Sequence, residues 1–114
     1  MFKAIKIIIL SIFISVTFFS SAAFSAFSAR SAAVSWEQNT ETDLKGYNVY
    51  MGTTSKTYGN PVFVDKTKTS HVFERLKRGT TYYFTVTAID TSGNESLFSE
   101  EVLKTIPRIF IRRR

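Results

Sequence analysis

From Ala32 to Asp90 apolar residues recur at every second position, in short runs broken by turn-rich segments, and none follows the three-to-four spacing of an amphipathic helix. The clearest run is Tyr82 to Asp90, with Tyr82, Phe84, Val86 and Ala88 on one face and Tyr83, Thr85, Thr87 and Ile89 on the other. Ala32, Val34 and Trp36 mark an earlier strand, and Tyr47, Val49 and Met51 the next. Val62 with Val64, and His71 with Phe73 and a closing Leu76, mark two shorter ones, and Phe98 to Ile106 supplies the last. QNTETDLKG, TTSKTYGNP and DTSGNE connect them; Gly93 and Asn94 tolerate positive φ, and Pro61 suits a strand start or an edge. Strands with one apolar face each predict an all-β, two-sheet antiparallel sandwich, and 114 residues allow one such domain.

Composition narrows the chemistry. The chain has no cysteine, so disulfides, thiol nucleophiles and thiolate metal sites are excluded, and one histidine, His71, excludes paired-histidine metal centres. The formal charge of +6 lies mostly at the two ends: between Ser31 and Pro107 eight bases face all nine acids, a net of −1. A basic face for nucleic acid is not expected on the domain.

Residues 1–28 read as a signal peptide. Lys3 and Lys6 form the positive start, Ile7 to Phe19 the apolar region that enters the translocon as a helix, and SSAAFSAFSA the small-residue region that fits a signal peptidase. Cleavage is expected after Ala23, with Ser25 and Ser28 as later options. The competing reading is an uncleaved anchor, because the charge-free run from Ile7 to Ala29 is long enough to span a bilayer of about 30 Å. Either way the domain is expected outside the cytoplasm, secreted or periplasmic, or tethered to the membrane. Residues 29–107 form the sandwich and 108–114 a basic tail, RIFIRRR after Pro107.

The run AVSWEQNTETDLKGYNVYMGT, the pattern L-x-x-G-T-x-Y-x-F-x-V-x-A-x-D from Leu76 to Asp90, then TSGNES and TIP, resemble a fibronectin type III domain of the exported bacterial kind. The resemblance implies an immunoglobulin-like sandwich. It places Trp36 on strand B, Tyr47 at the opening of strand C, Leu76 before the E to F corner and Tyr82 at that corner, where the family bonds the tyrosine hydroxyl to upstream backbone. Two departures stand out: Arg78 replaces the usual proline before the corner glycine, and no separate first strand is distinguishable. The Arg-Gly-Asp tripeptide used by integrin-binding relatives is absent.

No catalytic constellation emerges. His71 with Ser70 and Asp65 has the residue types of a hydrolase triad but no nucleophile turn, and a packed ring is the better reading. Asn39, Glu41 and Asp43 supply too few local carboxylates for calcium. The sequence therefore predicts no enzyme, no cofactor and no metal. The candidate ligand-binding residues are Tyr50, Tyr83, Thr85 and Thr87, which alternation sets on the outer face of strands C and F, and the loop Thr91, Ser92, Gly93, Asn94 and Glu95. The expected function is an exported binding or adhesion module whose partner is a protein or glycan of the cell surface or envelope. The alternative is a structural spacer or assembly subunit that pairs through an exposed sheet edge, giving a homo-oligomer.

Overall fold

The computed structural model describes residues 9–13 and 30–109. Its strands are β1 (Ile9–Phe13), β2 (Ala32–Trp36), β3 (Leu44–Gly52), β4 (Val62–Asp65), β5 (Ser70–Phe73), β6 (Thr81–Asp90) and β7 (Val102–Thr105). One antiparallel sheet has the order β1-β2-β5 and the other β4-β3-β6-β7. The two enclose the core as an aligned sandwich does, with alternate residues of each strand facing inward.

The alternation sets that core. Ala32, Val34 and Trp36 of β2 are buried against Tyr47 and Val49 of β3 and against Tyr82, Phe84, Val86 and Ala88 of β6, with Val64, Leu76 and Ile106 closing the ends. The Trp36 ring tilts against Tyr47 at 5.2 Å. Tyr47 in turn accepts the Asn39 backbone N–H on its hydroxyl at 2.8 Å, anchoring the β2–β3 loop to the core. His71 is a packed ring, edge-on to Phe73 at 4.7 Å.

Tyr82 is 9% exposed, and its hydroxyl accepts the Lys77 backbone N–H at 2.9 Å. Arg78 in place of proline does not open this corner, because Gly79, at φ 73°, donates its N–H to Ile106 at 2.7 Å and Ile106 donates to Thr80 at 2.9 Å. The corner is thus fastened to the chain leaving β7. Tyr82→Phe keeps the ring and removes one hydrogen bond, so chemical denaturation should show a loss of about 0.5–1.5 kcal/mol. No measurable loss would mean that the hydroxyl bond contributes nothing.

The entry to β2 is equally constrained. Arg30 exchanges backbone bonding with Leu76, which donates to its carbonyl at 2.8 Å, and returns a side-chain bond from Nε to the Leu76 carbonyl at 2.8 Å. Lys104 is 8% exposed on the inner face of β7, and its amine donates to the Ser31 carbonyl. Burial pushes that amine below the usual lysine range.

Two expectations are corrected. Ile9–Phe13, expected within a helical signal segment, is a strand, paired antiparallel with β2 so that Ile9 lies opposite Trp36 and Ile12 opposite Val34. A short isolated helix is marginal, whereas the open ladder of β2 offers these residues, two of them β-branched isoleucines, an antiparallel partner, with one register shift between Ile9 and Ser11. The cleavage window from Ala22 to Ser28 lies outside the described residues, as does the tail beyond Ile109. The last strand is also shorter than expected: only Val102–Thr105 pairs regularly with β6, and the chain before it is irregular.

Candidate binding face

The irregular segment before β7 makes the outer face of the four-stranded sheet. Ser96 donates its backbone N–H to the Ala88 carbonyl at 2.8 Å and accepts the Ala88 N–H on its hydroxyl at 2.8 Å. Ser99 does the same with Val86, at 3.0 and 2.9 Å. Two residues, Leu97 and Phe98, separate Ser96 from Ser99, whereas only Thr87 separates Val86 from Ala88, so the β7 side carries one extra residue. An extra residue is a bulge, and a bulge re-aims side chains. Leu97 is left 89% exposed, and Phe98, 57% exposed, is turned onto the sheet.

Phe98 meets Tyr50 edge-on at 5.1 Å and Tyr58 at 5.6 Å, and the two tyrosines lie 6.1 Å apart. Tyr50 comes from β3 and Tyr58 from the turn after it, which is closed by Gly59 donating to the Met51 carbonyl at 3.1 Å. Each tyrosine hydroxyl is held by a glutamate. Glu95 accepts from the Tyr50 hydroxyl, from Thr87 Oγ1 at 2.5 Å and from Asn48 Nδ2 at 3.3 Å. Glu101 accepts from the Tyr58 hydroxyl, from Ser55 Oγ at 2.6 Å and from the Lys56 backbone N–H at 2.6 Å.

These contacts set the charge of the face. Burial pulls the Glu95 carboxyl up, but the bonds from Thr87, Tyr50 and Asn48 outweigh it and hold the group below the usual glutamate range. For Glu101 burial acts the same way, and Ser55, Tyr58 and Lys56 outweigh it. Burial first, and the neighbouring carboxylate second, raise both tyrosine hydroxyls above their ordinary value. Near neutral pH the face therefore presents neutral phenols and two carboxylates.

The expected residues divide. Tyr50 sits within the cluster, and Tyr83 is half-buried one pair further along the sheet, opposite Gly52 on β3 and Leu103 on β7. Thr85 and Thr87 are on the outer side by alternation but are buried, at 0% and 1% exposure. The Ser96–Glu101 segment covers them: Thr85 Oγ1 donates to the Ser99 carbonyl at 3.0 Å, and Thr87 is spent on Glu95. They hold the platform and are not open to a ligand.

In the loop, Thr91, Ser92 and Gly93 are exposed, with Gly93 at φ 87°. Asp90 organises the turn, accepting the Ser92 N–H at 2.9 Å, the Asn94 N–H at 2.8 Å and Asn94 Nδ2 at 3.0 Å. Of the loop candidates only Glu95 joins the rings. Sequence reasoning missed Tyr58, Phe98, Glu101 and Asn48. The signal for Phe98 was Ser96 and Ser99 bracketing two apolar residues, one residue too many for a regular strand.

In the β2–β3 loop Asn39 Oδ1 accepts the Glu41 backbone N–H at 2.8 Å, a loop-closing bond. Among the described residues no group of three or more metal-ligating side chains is present.

Acid should loosen the domain. Hydrogen bonds from Asn94, then from Ser92 and Gly93, hold Asp90 below the usual aspartate range, and Glu95 and Glu101 are held low as described. A carboxylate with a depressed folded pKa stabilises fully above its unfolded value, about 4, and loses that contribution as pH falls through the folded one. Burial lowers His71 from 6.5, so the unfolded chain takes up its proton first and stability drops from about pH 6.5 downward as well. All four groups share one sign. Thermal melts should be flat between about pH 7 and pH 9, fall slightly towards pH 5 and fall steeply below about pH 4. A melting temperature that rises on acidification would contradict the burial of His71 and the roles of the carboxylates.

The tyrosine corner, the buried Trp36 and the four-stranded sheet order are accompanied by a family match: the fibronectin type III domain model covers residues 20–105. The chain belongs to the fibronectin type III family. This fibronectin type III chain is similar to the Fn3-like protein from Clostridium thermocellum at 27% identity, over 74% of this chain and 84% of that one, with a TM-score of 0.58. It is similar to part of a β-1,2-glucanase from Parabacteroides distasonis at 26% identity and TM-score 0.64, over 72% of this chain but only 12% of the glucanase. The sixth fibronectin type III domain of a human fibronectin type III domain containing protein shares the fold at 24% identity and TM-score 0.60, over 79% and 84%. None of the curated proteins matches the chain.

Proposed function

We propose that this fibronectin type III chain is an exported, non-catalytic binding module whose ligand lies across the outer face of the β4-β3-β6-β7 sheet. The observation that carries the reading is the Tyr50, Tyr58 and Phe98 cluster, a group of rings half-buried or exposed, its two tyrosine hydroxyls held by two glutamates. Aromatic faces on a rigid sheet stack on the C–H faces of sugar rings, and carboxylates at the rim accept hydroxyls. The same carboxylates repel acidic polymers, so a neutral, hydroxyl-rich envelope glycan fits better than a nucleic acid or a uronic acid chain. The similarity to part of a β-1,2-glucanase supports a glucan as the first probe.

Electrophoresis of the exported protein through gels containing a neutral glucan or polygalacturonate tests this. Retardation by the neutral polymer alone is expected; no retardation by any envelope polysaccharide would sink the glycan reading. A second reading, assembly through a sheet edge, is favoured by one observation: the outer edge of β2 is already taken by a strand from the expected signal segment, Ile9–Phe13.

A further inference from the structure

Exposed sheet edges pair with other chains unless a charge, a proline, a kink or a covering element prevents it. Three edges carry such guards. β4 follows Pro61 and ends in Asp65. β5 has four residues and runs within two positions into Arg75, at φ 57°. β7 carries Lys104 on its inner face and follows the bulge at Leu97 and Phe98. The outer edge of β2 has none of these: its sequence AAVSW contains no charge, proline or glycine, and what covers it is β1. Because β1 lies within residues 1–28, removal of that segment leaves this edge bare.

We propose that the outer edge of β2 is a strand-pairing surface, covered by Ile9–Phe13 in the uncut chain and taken by β2 of a second copy once the segment is removed. The proposal rests on the assembly reading and on cleavage. A second copy fits for three reasons. Two identical strands related by a two-fold axis are antiparallel, the direction β1 already uses. With Val34 at the axis, buried Ala32 falls opposite Trp36 of the partner subunit, small against large, and the inward alternation is kept on both sides. Exposed Arg30 and Glu37 flank the strand at opposite ends, so each end of the pair carries one residue of each sign, at neighbouring and not opposed positions. The result is one continuous sheet with the two β2 strands at its centre and the two β5 strands at its edges.

Sedimentation of the processed, exported protein tests the proposal beside the uncut chain made without export. Five-residue pairing is a small interface, so a reversible dimer with micromolar affinity is expected for the cut protein and a monomer for the uncut one. The double variant Ala33→Lys with Ser35→Lys sets like charges opposite each other across the axis and should weaken the dimer at least about tenfold. Its thermal melt should stay close to that of the parent, showing that the domain still folds. A cut protein that stays monomeric up to about 100 μM would overturn both this proposal and the assembly reading. A dimer indifferent to the two lysines would overturn this proposal alone and move assembly to another edge.

Discussion

Trp36→Ala is expected to destabilise the domain by about 3–5 kcal/mol, a large part of the 5–15 kcal/mol typical of a single domain. Trp36 is 3% exposed and packs on Tyr47, itself fully buried, where β2 crosses the inner face of β3. Without disulfides, nothing covalent offsets the cavity that the indole would leave. Trp36→Phe is the informative control. Nε1 is buried without a hydrogen-bond partner among the described residues, so phenylalanine removes volume but no hydrogen bond, and its cost should be clearly the smaller. Urea denaturation followed by circular dichroism reads both. A loss below about 1 kcal/mol for Trp36→Ala would place the ring outside the core.

The largest functional effect should come from Tyr50→Ala combined with Phe98→Ala. Both rings sit at the edge-on contact in the middle of the platform, and central aromatics commonly dominate an interface. Glycan retention should vanish, whereas stability should fall by only about 1–2 kcal/mol, because ring pairs contribute about 0.5–1.5 kcal/mol beyond their burial. Tyr50→Ala with Tyr83→Ala should weaken binding less, since Tyr83 lies one pair along, opposite Gly52. Unchanged retention in the Tyr50 and Phe98 variant would return these rings to a purely structural role. The site would then move to the exposed loop Thr91 to Gly93.

The sequence made the sandwich legible because burial follows the period-two rule with few exceptions: Ala32, Val34 and Trp36 are buried, and so are Tyr82, Phe84, Val86 and Ala88. The platform was half legible. Tyr50 was visible from alternation, but alternation tells only which side of a sheet a residue is on, not whether another segment lies over it. Thr85 and Thr87 face outward and are still buried, because the serines at 96 and 99 seat the preceding segment of β7 against β6. Tyr58 and Phe98 arrive from a turn and a bulge, where no period applies. The Ile9–Phe13 strand was illegible for a different reason: an apolar run reads equally as a signal helix or an edge strand until a neighbour with an open ladder is known.

Amide chemical shifts of the isotope-labelled protein, followed while a short neutral gluco-oligosaccharide is added, test the binding face most directly. Shifts confined to Asn48–Gly52, Tyr58 and Glu95–Glu101 are the predicted result. Shifts clustered instead on the β2–β3 loop, or on the β2 and β5 sheet, with the Tyr50, Tyr58 and Phe98 region unmoved, would contradict it.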